Sequence, residues 1–310
     1  MKVIKKLKTS YKMNLSSDGR FLCHTMGAKT IVFNPKSWEI VAELSKPKHP
    51  VEIKFSNEND YLYIKNTIGT VCVYETTEFR LIKTFQSKKS IQMVEGDFAL
   101  TNTQFTIIDT LKIKSGNQLA AINIESGKYS ILTDFEDSIT LFKYNHFIPA
   151  ESSYLFTLSY DNKSTGYREY KLLKVKYVNE KALLTLISHP IRLYWDSVIY
   201  DSIHEVYILV SNYKIIILDP SFKKVLKKID LLENLSKIDY GYFYHFHQSN
   251  NGKFLIITYS DRIIILRYDD FKKIVDEEIP YACFAEFSQD DQYLLVGTWK
   301  NGYVLEQNLE

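Results

Sequence analysis

The sequence predicts an all-β fold made of repeated antiparallel sheets, and three features predict it. A turn signature recurs four times: a Ser, four polar or Gly residues, then an aromatic followed by Leu, at Ser16 to Phe21-Leu22, Ser56 to Tyr61-Leu62, Ser249 to Phe254-Leu255 and Ser288 to Tyr293-Leu294. A second kind of corner recurs downstream at 34–37, 75–78, 124–128, 218–222 and 268–271, reading Glu-Thr-Thr-Glu at 75–78 and built in the other four copies around Asp, Asn, Pro, Ser or Gly. Each of these residue types favours turns for its own mechanical reason, so repeated coincidence is hard to reach by chance. Finally, aromatics reach 14%, with 23 Tyr and 18 Phe, and such residues suit pleated, half-buried surfaces.

Read in order, the first unit has a strand ending near Leu15, the Ser16 turn, a strand from Phe21, a corner at 26–29, a strand at 30–33, the corner at 34–37 and a last strand at 38–44. The second unit repeats this order from 51 to 85. Four strands per unit at a period of roughly 40–50 residues describe supersecondary units that must stack to bury their apolar faces. Counting first strands at 11–15, 51–55, 91–94, 139–145, 195–200, 243–248 and 283–287 gives seven units. The expected fold is therefore a seven-bladed β-propeller over a single domain, 1–310. The seventh blade runs out near Gln307 after three strands, while residues 1–8 precede the first inner strand. Pairing the N-terminal strand with the last blade removes both free edges, so closure by residues 1–8 is predicted. Blades three and four carry extra length, at 98–120 and 161–167, which reads as loop insertion.

The Phe-Ser-x-Asp-x-x-Tyr-Leu alternation at 287–294, the Ile-Val or Val-Tyr third strands and the Asp-containing corners together resemble the WD40 and YVTN-type seven-bladed propellers across nearly the whole chain. No Gly-His pair opens a blade, and Trp195-Asp196 falls at a first strand rather than at the end of a third. The blades are therefore expected to depend on apolar packing between sheets. The resemblance implies a binding platform whose loops converge on one rim around a channel mouth.

Composition narrows the function classes. With 39 Lys and Arg against 37 Asp and Glu there is no global field to draw in nucleic acid. No apolar run approaches the roughly 20 residues of a membrane-spanning helix, and no signal-peptide pattern follows Lys2, Lys5, Lys6 and Lys8. The three cysteines, Cys23, Cys72 and Cys283, lie within predicted strands, which reads as free thiols in a cytoplasmic protein. A ring without edges is expected to be monomeric.

Function is expected on the rim formed by the blade-to-blade connections and the second-to-third strand corners. There the chain carries Lys48, His49, Lys88, Lys89, His189, Arg192, Trp195, Tyr281 and Trp299. Basic and aromatic side chains together suit an acidic protein or peptide, because Arg and Trp anchor interfaces disproportionately. Phosphate-cradling loops, nucleophile elbows and metalloprotease motifs are missing, so no catalysis, cofactor or metal is expected. The alternative reading is a lactonase-like metal-dependent hydrolase, with Glu52, Asp196 and Glu286 on inner strands holding a cation. His245 and His247, two apart on one strand, share a face, but no Cys-x-x-Cys or second His pair accompanies them.

Overall fold

Sheet order in the computed structural model follows chain order. The structure describes residues 1–10, 12–87, 91–134, 140–211, 213–231 and 240–309, with the side chains of residues 9 and 10 left aside. Six sheets each take consecutive strands, at 13–44, 50–85, 92–131, 141–187, 197–230 and 243–278. The seventh combines Ala282–Phe287, Tyr293–Glu306 and, on its outer side, the N-terminal strand Lys2–Ser10. The run Tyr293–Glu306 is not one straight strand. Fourteen extended residues would span roughly 45 Å, yet the Gln307 N–H donates to the Gln292 carbonyl at 2.9 Å, so the chain doubles back between them. Its first half pairs with Ala282–Phe287 and its second with Lys2–Lys8. Seven four-stranded antiparallel blades, the last closed by the N-terminal strand, make this a seven-bladed β-propeller.

The blades group into two compact units: blades 1, 2, 6 and 7 with the N-terminal strand, and blades 3, 4 and 5. Within each, the middle strands carry the core. Phe254–Tyr259 is buried at every position, whereas the outer strands Val225–Asp230 and Lys273–Glu278 are charged and largely exposed. That gradient protects the outer edge from pairing with other chains. Sheet-to-sheet packing is apolar, as the sequence leads one to expect: Phe254, Ile256, Phe287 and Leu294 join blades 6 and 7, and Met13, Leu22, Phe284 and Leu295 join blades 7 and 1. In the second unit Ile148, Leu155, Val198 and Tyr207 join blades 4 and 5.

The repeated serine has a definite task. Ser16, Ser56, Ser249 and Ser288 each accept, through Oγ, a hydrogen bond of 2.9–3.0 Å from the N–H of the aromatic five residues on. The third-to-fourth corners share another device: Trp38, Phe79, Phe222 and Phe271 all take positive φ, 54–60°. Left-handed backbone at a non-Gly residue costs about 1–2 kcal/mol. Burying an aromatic ring returns about as much or more, and Phe79 and Phe222 are core residues.

Two departures from the sequence reading concern blades three and four. Residues 98–120 hold no inserted loop: Thr106–Ile113 and Gly116–Asn123 form a tight hairpin, and the surplus lies in the inner strand, split into Gln92–Met93 and Ala99–Leu100. In blade 4 the ladder continues unbroken to Asn162 opposite Tyr167, so 161–167 lengthens the hairpin rather than widening its corner.

Candidate functional site

The rim of the first unit is built by backbone hydrogen bonds that step across loops. Ser260 N–H donates to the Tyr242 carbonyl (2.8 Å), Ala282 N–H to the Ser260 carbonyl (2.9 Å) and Trp299 N–H to the Tyr281 carbonyl (3.0 Å). Three corners are thereby locked side by side. Gly241 allows the first approach: its φ is +75°, and a Cβ there would lie 1.8 Å from Ser260 Oγ. The aromatic rings in this row face solvent. Tyr242 is 80% exposed and Trp299 55%, with Tyr244 and Tyr281 about half exposed. Lys300 places its ammonium 4.3 Å from the Tyr281 ring centre, and its backbone is fixed because Thr298 Oγ1 accepts from the Lys300 and Asn301 N–H groups. Rigid, exposed aromatics with one associated cation make a surface that a partner can desolvate at little cost in ordering. Behind them, burial pushes the Cys283 thiol up to about 12, so it stays protonated.

Of the sequence-predicted residues, Tyr281 and Trp299 are thus neighbours. Lys48 and His49 are exposed on the connection between blades 1 and 2, whose backbone is pinned by Asn66 Nδ2 donating to the Lys48 carbonyl. Lys88 and Lys89 lie outside the described residues. In the second unit Arg192 is exposed and stacks its guanidinium 4.3 Å from the Tyr167 ring centre, while His189 is half-buried, its Nδ1 accepting from the Ile191 N–H. Trp195 needs correction as a contact residue. It is 2% exposed, packs edge-on against Phe222, and donates from Nε1 to Thr157 Oγ1 at 3.0 Å. Its ring belongs to the seam between blades 4 and 5 and offers no face to a partner.

Sequence reasoning missed Tyr242 and Tyr244. Strict alternation puts Tyr244 on the same face as the buried Phe246. A β-bulge between Phe243 and His245 breaks the register and turns Tyr244 outward. The same irregularity recurs in inner strands at 50–52, 144–146 and 282–284. The Gly241 ahead of an aromatic run was the available signal.

The inner-strand carboxylates have a different arrangement from the one a hydrolase reading needs. Lys12 sits between them, its Nζ 3.1 Å from Glu286 and 3.6 Å from Glu52, and His245 Nε2 lies 3.1 Å from the same Glu286 oxygen. Burial alone raises the Glu286 carboxyl, but Lys12 and His245 outweigh it and hold it well below the usual range. Burial also pulls His247 down to about 4, leaving it neutral. An ammonium therefore already stands between the carboxylates that would have to ligate a cation. Asp196 lies in the second unit, where it accepts from the Tyr194 hydroxyl. Among the described residues no group of three or more His, Cys, Asp or Glu is placed to hold a metal ion, and no helix is long and apolar enough to cross a membrane.

No protein-family model and no curated protein matches the chain. Solved structures do. A structure of U3-55K superposes with a TM-score of 0.68 at 9% identity, over 98% of each chain. A chain in a crystal structure of the mitotic checkpoint complex superposes at 0.67 and 10% identity, over 99% of this chain and 92% of its own. At such identity the likeness concerns fold alone: like them, the chain is a seven-bladed β-propeller.

Proposed function

We propose that this protein is a non-catalytic interaction scaffold that holds a protein or peptide partner on its loop rim. The observation that carries the reading is the row Tyr242, Tyr281 and Trp299, three solvent-facing aromatics on corners tied to one another by backbone hydrogen bonds, with the exposed Tyr244 on the adjoining strand. Solvent-facing aromatics in such number on fixed backbone are what interface anchors need, and they contribute nothing to the core. Lys300 at this rim, with Lys48 and His49 in the same unit, favours a partner with acidic residues flanking its apolar anchors. The Lys12 bridge between Glu52 and Glu286 supports the non-catalytic reading.

The test is affinity capture from the source cell with wild type and a Tyr281→Ala/Trp299→Ala double variant. Both side chains are exposed, so melting should be unchanged within about 0.5 kcal/mol. Wild type is expected to retain partners that the double variant loses, and Lys300→Glu should weaken capture most at low salt. Identical partner sets for all three proteins would remove the rim of blades 6 and 7 from consideration.

A further inference from the structure

The opposite ends of these strands, at the first-to-second turns, carry an independent pattern. The fourth residue of each signature turn, counted from its Ser, has positive φ: Gly19, Asn59, Gly252 and Asp291, at 56–71°. Where that residue has a side chain, it reaches back to the turn of the preceding blade. Asp291 accepts from the N–H groups of Asn250 (2.9 Å) and Asn251 (2.8 Å) and from Asn250 Nδ2 (3.1 Å), joining blades 6 and 7. Asn59 accepts from the Ser17 N–H (3.1 Å) and donates to Ser17 Oγ (2.6 Å), joining blades 1 and 2. At the seam between blades 7 and 1 the same position is Gly19, and the space where its Cβ would stand is open to 4 Å.

A cavity of about 250 Å³ lies at that seam. Leu15, Leu22 and Leu295 line it on the apolar side, Trp38 and Tyr293 also contribute, and the carboxylates of Asp18 and Asp290 stand among its polar residues with Lys36 and Gln292. The volume is below that of small-molecule sites, about 300–1,000 Å³, and suits one or two side chains. By equivalence with Asn250 and Asn251, the backbone N–H groups of Gln289 and Asp290 are the donors that a side chain on residue 19 would have met. No bond from either is formed among the described residues, and both residues are exposed.

We infer that the seam between blades 7 and 1 is a second docking site, which takes an extended protein segment presenting an Asn or Gln amide to the Gln289 and Asp290 N–H groups and an adjacent apolar side chain to the leucine-lined cavity. The two occupied seams show the chemistry the turn accepts, an Asn and an Asp. Charge decides between them here. Asp290 replaces the neutral Asn251 as a receiving residue, and Asp18, held below its usual range by Arg20 and Ser16 against the raising effect of burial, stays ionised beside it. Lys36 and the Arg20 partner of Asp18 offset part of this negative charge, and an amide fits the site better than a carboxylate because it can both accept from the backbone N–H groups and donate to Asp290 or Asp18.

The experiment pans a phage-displayed library of random octapeptides against wild type and against Gly19→Asn, which supplies the missing side chain internally. Asn tolerates positive φ, and an unchanged or raised melting temperature establishes that the variant folds. Wild type is expected to enrich Asn or Gln next to an apolar residue. A peptide synthesised from the enriched sequence should lose about tenfold in affinity on Gly19→Asn and when its own amide is changed to Asp, and should bind Trp299→Ala unchanged, which separates this site from the rim. Equal enrichment on wild type and Gly19→Asn, or enrichment of Arg, Lys or acidic residues in place of the amide, overturns the inference.

Discussion

Blades 6 and 7 and blades 7 and 1 meet through the same kinds of strand and similar apolar cores, yet they are fastened differently. The first seam has both a hydrophobic layer and the Asp291 clasp across its turns. The second has the hydrophobic layer and the outer N-terminal strand, with Gly19 where a clasp would be. Sheet packing thus sets which blades touch, and one polar residue in left-handed backbone adds turn-to-turn registration where it is present. In a repeat fold, such nearest-neighbour terms add to give the total stability.

The largest effect expected is on the seam that lacks the clasp. Deleting residues 1–8 removes a paired strand along Asn301–Glu306 and takes the buried Leu7 out of the core between blades 7 and 1. Loss of one large apolar side chain from a core costs about 2–5 kcal/mol before the exposed edge is counted. Calorimetry and size-exclusion chromatography should show a much lower melting temperature or aggregation. A melting temperature equal to wild type would mean that the clasped seams alone carry the fold.

Acid should act next. Burial pulls His24, which is in the core of blade 1, down to about 4, as it does His247 in blade 6. Each is neutral when folded and protonates near 6.5 when unfolded. The unfolded state therefore binds more protons below pH 6.5, and stability falls from there towards pH 4. Glu286, depressed by Lys12 and His245, adds loss below the ordinary Glu range. For His24 the drop is up to about 3 kcal/mol by pH 4. His24→Leu should flatten part of a melting-temperature profile between pH 7 and 4; an unaltered slope would show that His24 is not the responsible group.

Removing the clasps should cost less and can be done without touching the backbone. Asp291→Gly and Asn59→Gly keep residues at home in positive φ while deleting the bonds to the neighbouring turn. We expect about 1.5–3 kcal/mol for Asp291, which accepts with a charge, and about 1–2 kcal/mol for Asn59. Denaturant melts that rank Asn59 above Asp291 would contradict the role given to the charge. Smallest is the reverse change: Gly19→Asn should alter stability by no more than about 1 kcal/mol, the new bonds and the lower unfolded-state entropy being offset by left-handed strain.

Much of this was legible beforehand. The Ser16-type turns and the Asp-Pro-Ser-Phe corner are local chemistry, written in consecutive residues, and they gave blade number, strand order and closure by residues 1–8. The seam clasps were not legible, because Asn59 and Asp291 act on turns about 40 residues away and look in sequence like ordinary turn residues. Trp195 was misjudged because exposure depends on the neighbouring sheet: Phe222 and Thr157, both distant in sequence, cover it. Tyr242 and Tyr244 were hidden by a bulge that defeats period-two reading. Lys12 was overlooked because nothing local links it to Glu286, 274 positions on.

The pairing of Lys2–Ser10 with Thr298–Glu306 also sets a timetable for biosynthesis. Synthesis at about 5–20 residues per second means that this strand leaves the ribosome tens of seconds before its partner exists. For that interval it is an unpaired β-forming segment beside nascent sheets, the kind of element that seeds wrong pairings. Its Lys2, Lys5, Lys6 and Lys8 give it a dense positive charge that disfavours self-association while it waits. Once the last blade is made, three of those side chains find places on it or beside it: Lys2 pairs with Glu306, Lys5 stands over Trp38 and Lys6 over Tyr303. Three of the lysines that keep the waiting strand apart are thus reused as surface contacts once it is paired.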